Sequence, residues 1–171
     1  MKPLVIDSSA GVANAFFAGR CRAYTSDASQ LAAVLARSPG GAYDFAILPE
    51  RISKEPLGPV VQGGDAEWVT LVRWVLYALI AAEEQGVTRA NIDAVARKSQ
   101  GAAWRLVSGK DERLARALGV RSDWVVLAVK AVGNYGEMYE RNLGRDSPLN
   151  LERGLNRLWT QGGLLYAPPL D

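Results

Sequence analysis

Histidine is absent from all 171 residues, and cysteine occurs once, at position 21. The first absence removes every histidine-based triad, histidine general base and histidine metal ligand. The second excludes an internal disulfide and a cysteine zinc site. Charge of one sign is scarce as well: 20 Lys and Arg stand against 18 Asp and Glu, a formal net charge of +2. A nucleic-acid surface needs a basic excess gathered on one face, so this balance argues against that partner. Long hydrophobic runs are also lacking. The longest, residues 69–82, is interrupted by Arg73 and falls short of the ~20 apolar residues of a membrane span. The first seven residues carry one lysine before an apolar run too short for a signal peptide. A soluble chain is expected, with the question of a leader removed upstream left open.

What is present is a folding composition. Hydrophobic residues make up 49% and charged residues 22%, which suits one domain or slightly more. Leu4-Val5-Ile6, Ala23-Tyr24-Thr25 and Phe45-Ala46-Ile47-Leu48 read as short buried strands. Between them, Ser8 or Ser9 starts a helix carrying Val12, Phe16 and Phe17 that stops at Gly19, and Asp27 or Ser29 starts another through Leu31, Val34 and Leu35. This alternation predicts an α/β layer with a small parallel sheet. Pro49, Pro56 and Pro59 then mark an extended crossing over residues 49–64.

Asp65 caps a long helix running to Gln85, with Gly86 as its stop. Trp68, Leu71, Val75, Leu79 and Ile80 make its main stripe, and Trp74 and Tyr77 widen it nearly all round, so it should be buried on more than one side. The rest reads as helical or looped: a short helix capped by Thr88, others around Trp104 and Leu114, a helix from Trp124 capped by Ser122, one from Tyr135, and one over residues 149–159 ending at Gly162-Gly163. The division expected is 1–48 as an α/β segment, 49–64 as a crossing and 65–171 as a helical part.

Candidate chemistry is thin. Glu83 and Glu84 are adjacent, so on a helix they diverge towards solvent rather than forming an acid–base pair. Asp111-Glu112 and Glu137/Glu140 read as helix-start or surface charges, with Glu137 and Arg141 as an i,i+4 pair. Ser8, Ser9 and Ser26 have no histidine partner, and Gly63-Gly64 lacks the lysine and hydroxyl of a phosphate loop. Trp68, Trp74, Trp104, Trp124 and Trp159 lie on apolar helix faces, where core packing is the default over base stacking. Asp27 is either a helix cap or a carboxylate at the C-terminal end of a parallel strand, where open α/β sheets bind ligands. Composition leaves both readings open.

Four stretches carry a pattern: residues 14–29 (NAFFAGRCRAYTSDAS), 52–59 (ISKEPLGP), 132–142 (VGNYGEMYERN) and 153–169 (RGLNRLWTQGGLLYAPP). The first resembles the second-lobe motif, the second the hinge-return segment, and the last two together the carboxy-terminal signature of the polar and general L-amino-acid-binding proteins of ABC transporters. The resemblance implies the carboxy-terminal half of a two-lobed periplasmic binding protein of type II fold. On it, residues 1–48 are part of lobe two, 49–64 the return crossing and 65–171 the completion of lobe one. Most of the lobe-one sheet, and the arginine that holds the ligand's α-carboxylate, would lie in the other half. Asp27 matches the aspartate that accepts hydrogen bonds from the ligand's α-ammonium. Arg22 stands where the family usually has aspartate, and Cys21 resembles a cysteine whose disulfide partner lies in the absent half.

The function implied is non-catalytic capture of an L-amino acid for an ABC transporter permease, without a cofactor or metal and in the periplasm. Binding in isolation is expected to be weak or absent. With no signal peptide in the sequence, a cytoplasmic location stays open. The competing reading is a degenerate half-binding-protein that acts as an interaction module. The wide apolar stripe of residues 66–85 further leads to an expected homodimer, through that helix and part of residues 122–160, unless the chain's own later helices cover it.

Overall fold

A computed structural model of the chain describes residues 4–38, 44–98, 100–110 and 112–170. Among these, eight α-helices follow in order: α1 Ser9–Phe17, α2 Ala28–Leu35, α3 Ala66–Glu84, α4 Ile92–Ala96, α5 Ala102–Val107, α6 Arg113–Ala117, α7 Trp124–Val132 and α8 Tyr135–Asn142.

Helix α3 is the axis of the helical part. The Asp65 carboxylate accepts from the Trp68 amide at 2.8 Å, and Glu67 in the first turn complements the helix dipole. Its other end is closed by paired bonds, from the Gly86 amide to the Glu83 carbonyl and from the Val87 amide to the Ala82 carbonyl. That closure requires a left-handed residue, supplied by Gly86 at φ +64°. Val87 and Ala82 also meet in the core, the apolar contact that accompanies this kind of stop.

Residues Ala78, Leu79, Ile80, Ala81 and Ala82 are all buried, which confirms that α3 is enclosed on more than one side. Ala78, Leu79 and Ala82 pack with Ile92, Val107 and Val129; Ile80 and Ala81 pack with Leu158 and Ala167. The covering elements are α5, α7 and α8 of the same chain. The reason for expecting a second copy across this helix therefore falls away, and pairing through it is not supported. Only the first turns stay open, with Trp68 half exposed.

Helix α8 begins in a reciprocal cap that the sequence reading missed. The Asn134 side-chain Oδ1 accepts from the Glu137 amide at 2.9 Å, and Glu137 Oε2 accepts from the Asn134 backbone amide at 2.8 Å. Asn134 is buried, and its Nδ2 donates to the Val87 carbonyl at 2.7 Å, tying α8 to the end of α3. Glu137 also accepts from the Arg89 amide at 3.1 Å. It is thus a two-element clasp rather than the surface partner of Arg141.

The expected small parallel sheet is not there: no strand forms among the described residues, whose sole ladder contact is a single parallel bridge between Leu158 and Leu165. Residues 4–6, 23–25 and 45–48 are free of backbone ladder bonds. A strand exists only through a neighbour's backbone, and these three runs do not supply one another with it. Helices α1 and α2 do form where expected, α1 capped by Ser8 Oγ on the Gly11 amide at 3.1 Å. Residues 49–62 carry no regular structure, as their prolines require.

A second correction concerns residues 149–159. Instead of a helix there are two short 3₁₀ turns, Gly154–Asn156 and Trp159–Gln161. Gly154 at φ +50° and Gly162 at φ +79° turn the backbone left-handed, and Gly163 sits against the Arg157 carbonyl, where any side chain would collide. The N-cap of α7 is Asp123, not Ser122, and that of α4 is Asn91, with Thr88 closing the turn before it. Of the charged pair Asp111-Glu112, Asp111 lies outside the described residues.

Gly133, at φ +83°, has its missing Cβ aimed at Glu137, 2.8 Å from that residue's own Cβ. Gly133→Ala combines backbone strain with disruption of the cap, and about 1–3 kcal/mol of stability should be lost in urea denaturation. An unchanged midpoint would show that the cap is not a structural joint.

Candidate functional site

Asp27 occupies the N-cap position of α2, and its carbonyl accepts the first helical bond, from the Leu31 amide at 2.9 Å. Its carboxylate makes no capping bond, unlike the Ser8 hydroxyl and the Asp65 carboxylate at their helices. An N-cap aspartate would ordinarily turn its side chain back on the N2 or N3 amide. Here the half-buried carboxylate remains available to an outside donor.

The segment leading to it is held by aromatic packing. Phe16 and Phe17 of α1 lie 5.1 and 5.2 Å from the Phe45 ring, and Phe16 lies 6.0 Å from Tyr24. Tyr24 is three residues before Asp27, so this cluster fixes the chain entering α2. Cys21 is a half-buried free thiol and Arg22 is exposed.

A second cluster lies where α3 ends. Glu83 and Arg153 form a bidentate ion pair, each side chain only 12% exposed. The guanidinium also faces the Tyr135 and Tyr139 rings at 5.8 and 5.5 Å, and its Nη2 donates to the Asn156 carbonyl at 2.7 Å. The Tyr139 hydroxyl donates to the Glu152 carbonyl at 3.1 Å. Glu83 does not face solvent as its position in the sequence implied, and Glu84 Oε1 is buried too. A shallow open depression borders this cluster, between Gly136, Glu137, Arg141 and Arg153. The Arg153 guanidinium is taken up by Glu83, and the pair clasps the tail to α3 and α8. Sequence spacing had no means to pair residues 70 positions apart.

The five tryptophans divide. Trp124 packs against the core, and Trp74 meets Tyr77 edge-on at 5.7 Å. Lys110 lies over Trp104 at 4.9 Å, while Trp159 and Trp68 stay exposed. Among the described residues, no group of three or more Asp, Glu or Cys side chains is placed to hold a metal, and no helix is long and apolar enough to cross a membrane.

Three curated relatives match nearly the whole chain. The glutamate/glutamine/aspartate/asparagine-binding protein BztA of Rhodobacter capsulatus is 48% identical over 167 residues, 98% of this chain and 49% of its own length. The general L-amino acid-binding periplasmic protein AapJ of Rhizobium johnstonii is 44% identical over 171 residues, with the same coverages. The putative amino-acid ABC transporter-binding protein YhdW of Escherichia coli K12 is 43% identical over 168 residues, again covered for 49% of its length. A solved ABC transporter periplasmic binding protein from Brucella ovis, with glutathione bound, superimposes with a TM-score of 0.88 at 44% identity, covering 99% of this chain and 53% of that one. Over nearly its whole length this chain is similar to one half of a periplasmic binding protein of ABC transporters. It spans about half the length of the curated relatives it matches. No protein-family model matches it. The helix-rich architecture agrees with a binding protein of this kind, and the expected small parallel sheet does not form among the described residues.

Arg153→Ala strands a nearly buried Glu83 carboxylate, and breaking a buried pair costs about 3–5 kcal/mol. The single variant should melt well below the parent, whereas Glu83→Met with Arg153→Leu should recover most of the loss. Equal melting of single and double variants would refute the clasp.

Burial holds the Tyr135 and Tyr139 phenols above their ordinary value near 10, against the opposing pull of Arg153. The unfolded state therefore sheds these protons first, so stability present below pH ~10 falls as pH rises through that point. Urea midpoints at pH 8 and 10.5 should differ less in Tyr135→Phe than in the parent.

Proposed function

We propose that the chain is the carboxy-terminal half of the amino-acid-binding component of an ABC transporter, and that Asp27 accepts hydrogen bonds from the ligand's α-ammonium. The observation that carries the site is the N-cap carboxylate that does not cap its own helix. A charge-assisted bond to an ammonium suits such a group, because both partners gain when water is excluded on closure. The names of the relatives support polar L-amino acids as the substrate class, a transporter permease as partner and the periplasm as location. The role is capture and delivery without catalysis. In this reading residues 1–48 belong to the second lobe, 49–64 to the return crossing and 65–171 to the first lobe. The packing of α5, α7 and α8 around α3 supports grouping residues 65–171 together.

A second reading, an interaction module without ligand binding, is favoured by the exposed apolar residues Leu48, Ile52, Leu57 and Val60. Affinity separates the two. One polar bond in open water nets about 1 kcal/mol, against at least ~4 kcal/mol of lost freedom on association. Calorimetric titration of the isolated chain with glutamate, glutamine, aspartate and asparagine should give Kd values no tighter than about 1 mM. Joined to the remaining half of a relative, the site should tighten to micromolar, and Asp27→Ala should weaken it ~10–100-fold, the worth of a bond to a charged group. Full-strength binding by Asp27→Ala would remove this residue from the site.

A further inference from the structure

Asp27 follows a short connection in which one side chain is anchored. Arg22, Ala23, Thr25 and Ser26 are exposed, and Tyr24 between them is half-buried. Among the described residues, no backbone hydrogen bond ties residues 21–26 to another segment. The stop of α1, just before this connection, is closed by contrast. The Gly19 amide donates to the Phe16 carbonyl at 2.9 Å and the Arg20 amide to the Ala15 carbonyl at 3.0 Å. Gly19 permits that closure at φ +72°. Phe16 stands at this fixed point, next to the buried Ala15. Its ring lies 5.7 Å from Phe17, 5.1 Å from Phe45 and 6.0 Å from Tyr24. Among the described rings, Phe16 alone makes a ring contact with Tyr24; Phe17 meets Phe45 instead.

We propose that Phe16 is a positioning residue for the Asp27 carboxylate. Its ring contact with Tyr24 carries the fixed end of α1 across to the chain just before Asp27, and so sets where that carboxylate stands. Three Cα steps of about 3.8 Å separate Tyr24 from Asp27, a tether too short for the acceptor to move far while the contact holds. The same anchor bears on the first turn of α2, because the Leu31 amide donates to the Asp27 carbonyl at 2.9 Å. Without a capping bond, the Asp27 side chain does not fix itself on its own helix. Its place depends instead on the backbone that carries it. An acceptor already held in place spares the ordering cost that binding an ammonium would otherwise include. The inference rests on the ligand-binding reading of Asp27 above, and adds that its affinity depends on a ring of the preceding helix.

The test compares two neighbouring rings in the chain joined to the remaining half of the Rhodobacter capsulatus relative, titrated with glutamate. Phe16→Leu should weaken binding about 3–10-fold, the worth of one aromatic pair, while Phe16→Tyr keeps the ring and should stay within about twofold of the parent. Phe17→Leu removes a ring of the same cluster that meets Phe45 rather than Tyr24. It should lower the melting point as Phe16→Leu does, yet leave affinity within about twofold of the parent. Beside Asp27→Ala, Phe16→Leu should cost no further affinity, because the group it positions is gone. In the unjoined chain, exchange of the Leu31 amide should quicken about threefold or more in Phe16→Leu and not in Phe17→Leu. Equal losses of affinity from the two leucine variants, a Phe16→Leu loss that persists beside Asp27→Ala, or unchanged Leu31 exchange would each overturn the proposal. Full-strength binding by Asp27→Ala would overturn the ligand reading together with it. A weakened Asp27→Ala beside an unaffected Phe16→Leu would remove the positioning role alone.

Discussion

The enclosure of residues 78–82 governs the helical part of the molecule. Successive helix positions advance by about 100°, so five adjacent buried residues demand cover on every side. Three of them are alanine, which lets neighbouring elements approach closely. Val87, Ile92, Val107 and Val129 close one side, and Leu158 and Ala167 the other. The second side is made by a tail with almost no regular structure, so that tail must be tied down by something other than helix packing. Arg153 does this, reaching Glu83 on α3 while lying over two tyrosines of α8. A buried pair is weak evidence of net stability by itself, but it fixes which loop conformation covers the helix.

The joint between α3 and α8 follows from the same need. The turn after α3 leaves the Val87 carbonyl and the Arg89 amide without helical partners, and Asn134 and Glu137 take up both. One cap therefore serves two helices. Gly133 is the residue that permits it, because the chain must swing through a left-handed conformation directly against Glu137.

Helix ends were legible in the sequence because their determinants are local. Ser8, Asp65, Gly19, Gly86 and Gly119 each mark a boundary by a side-chain oxygen or by freedom at positive φ. The Asn-x-x-Glu cap at 134–137 was equally local, and reading Glu137 as a surface charge overlooked it. The strands were not legible in the same sense. Leu4-Val5-Ile6 and Phe45-Ala46-Ile47-Leu48 have the composition of strands, yet pairing is a property of two segments, and composition reports only one. Residues 149–159 failed for the opposite reason: their apolar spacing suits a helix, but Gly154 in the middle breaks it. Asp27 was legible as a position. That its carboxylate leaves its own helix uncapped became visible only with the backbone in place.

These features meet in the contrast between the two ends of the chain. The helical part encloses the C-terminal half of α3 with its own elements, while Trp68, Leu155, Trp159 and Leu164 stay exposed. The part carrying Asp27 is held by four aromatic rings and two short helices, with strand-like runs open on one face. A carboxylate gains most from an ammonium when water is excluded around the pair, because both charges are otherwise screened. Exclusion requires a wall opposite α2, and the backbone before and after Asp27 is set only as firmly as its neighbours hold it. The Asp27 carboxylate that leaves its own helix uncapped and the exposed apolar residues 48–60 therefore both lie outside the core built on α3.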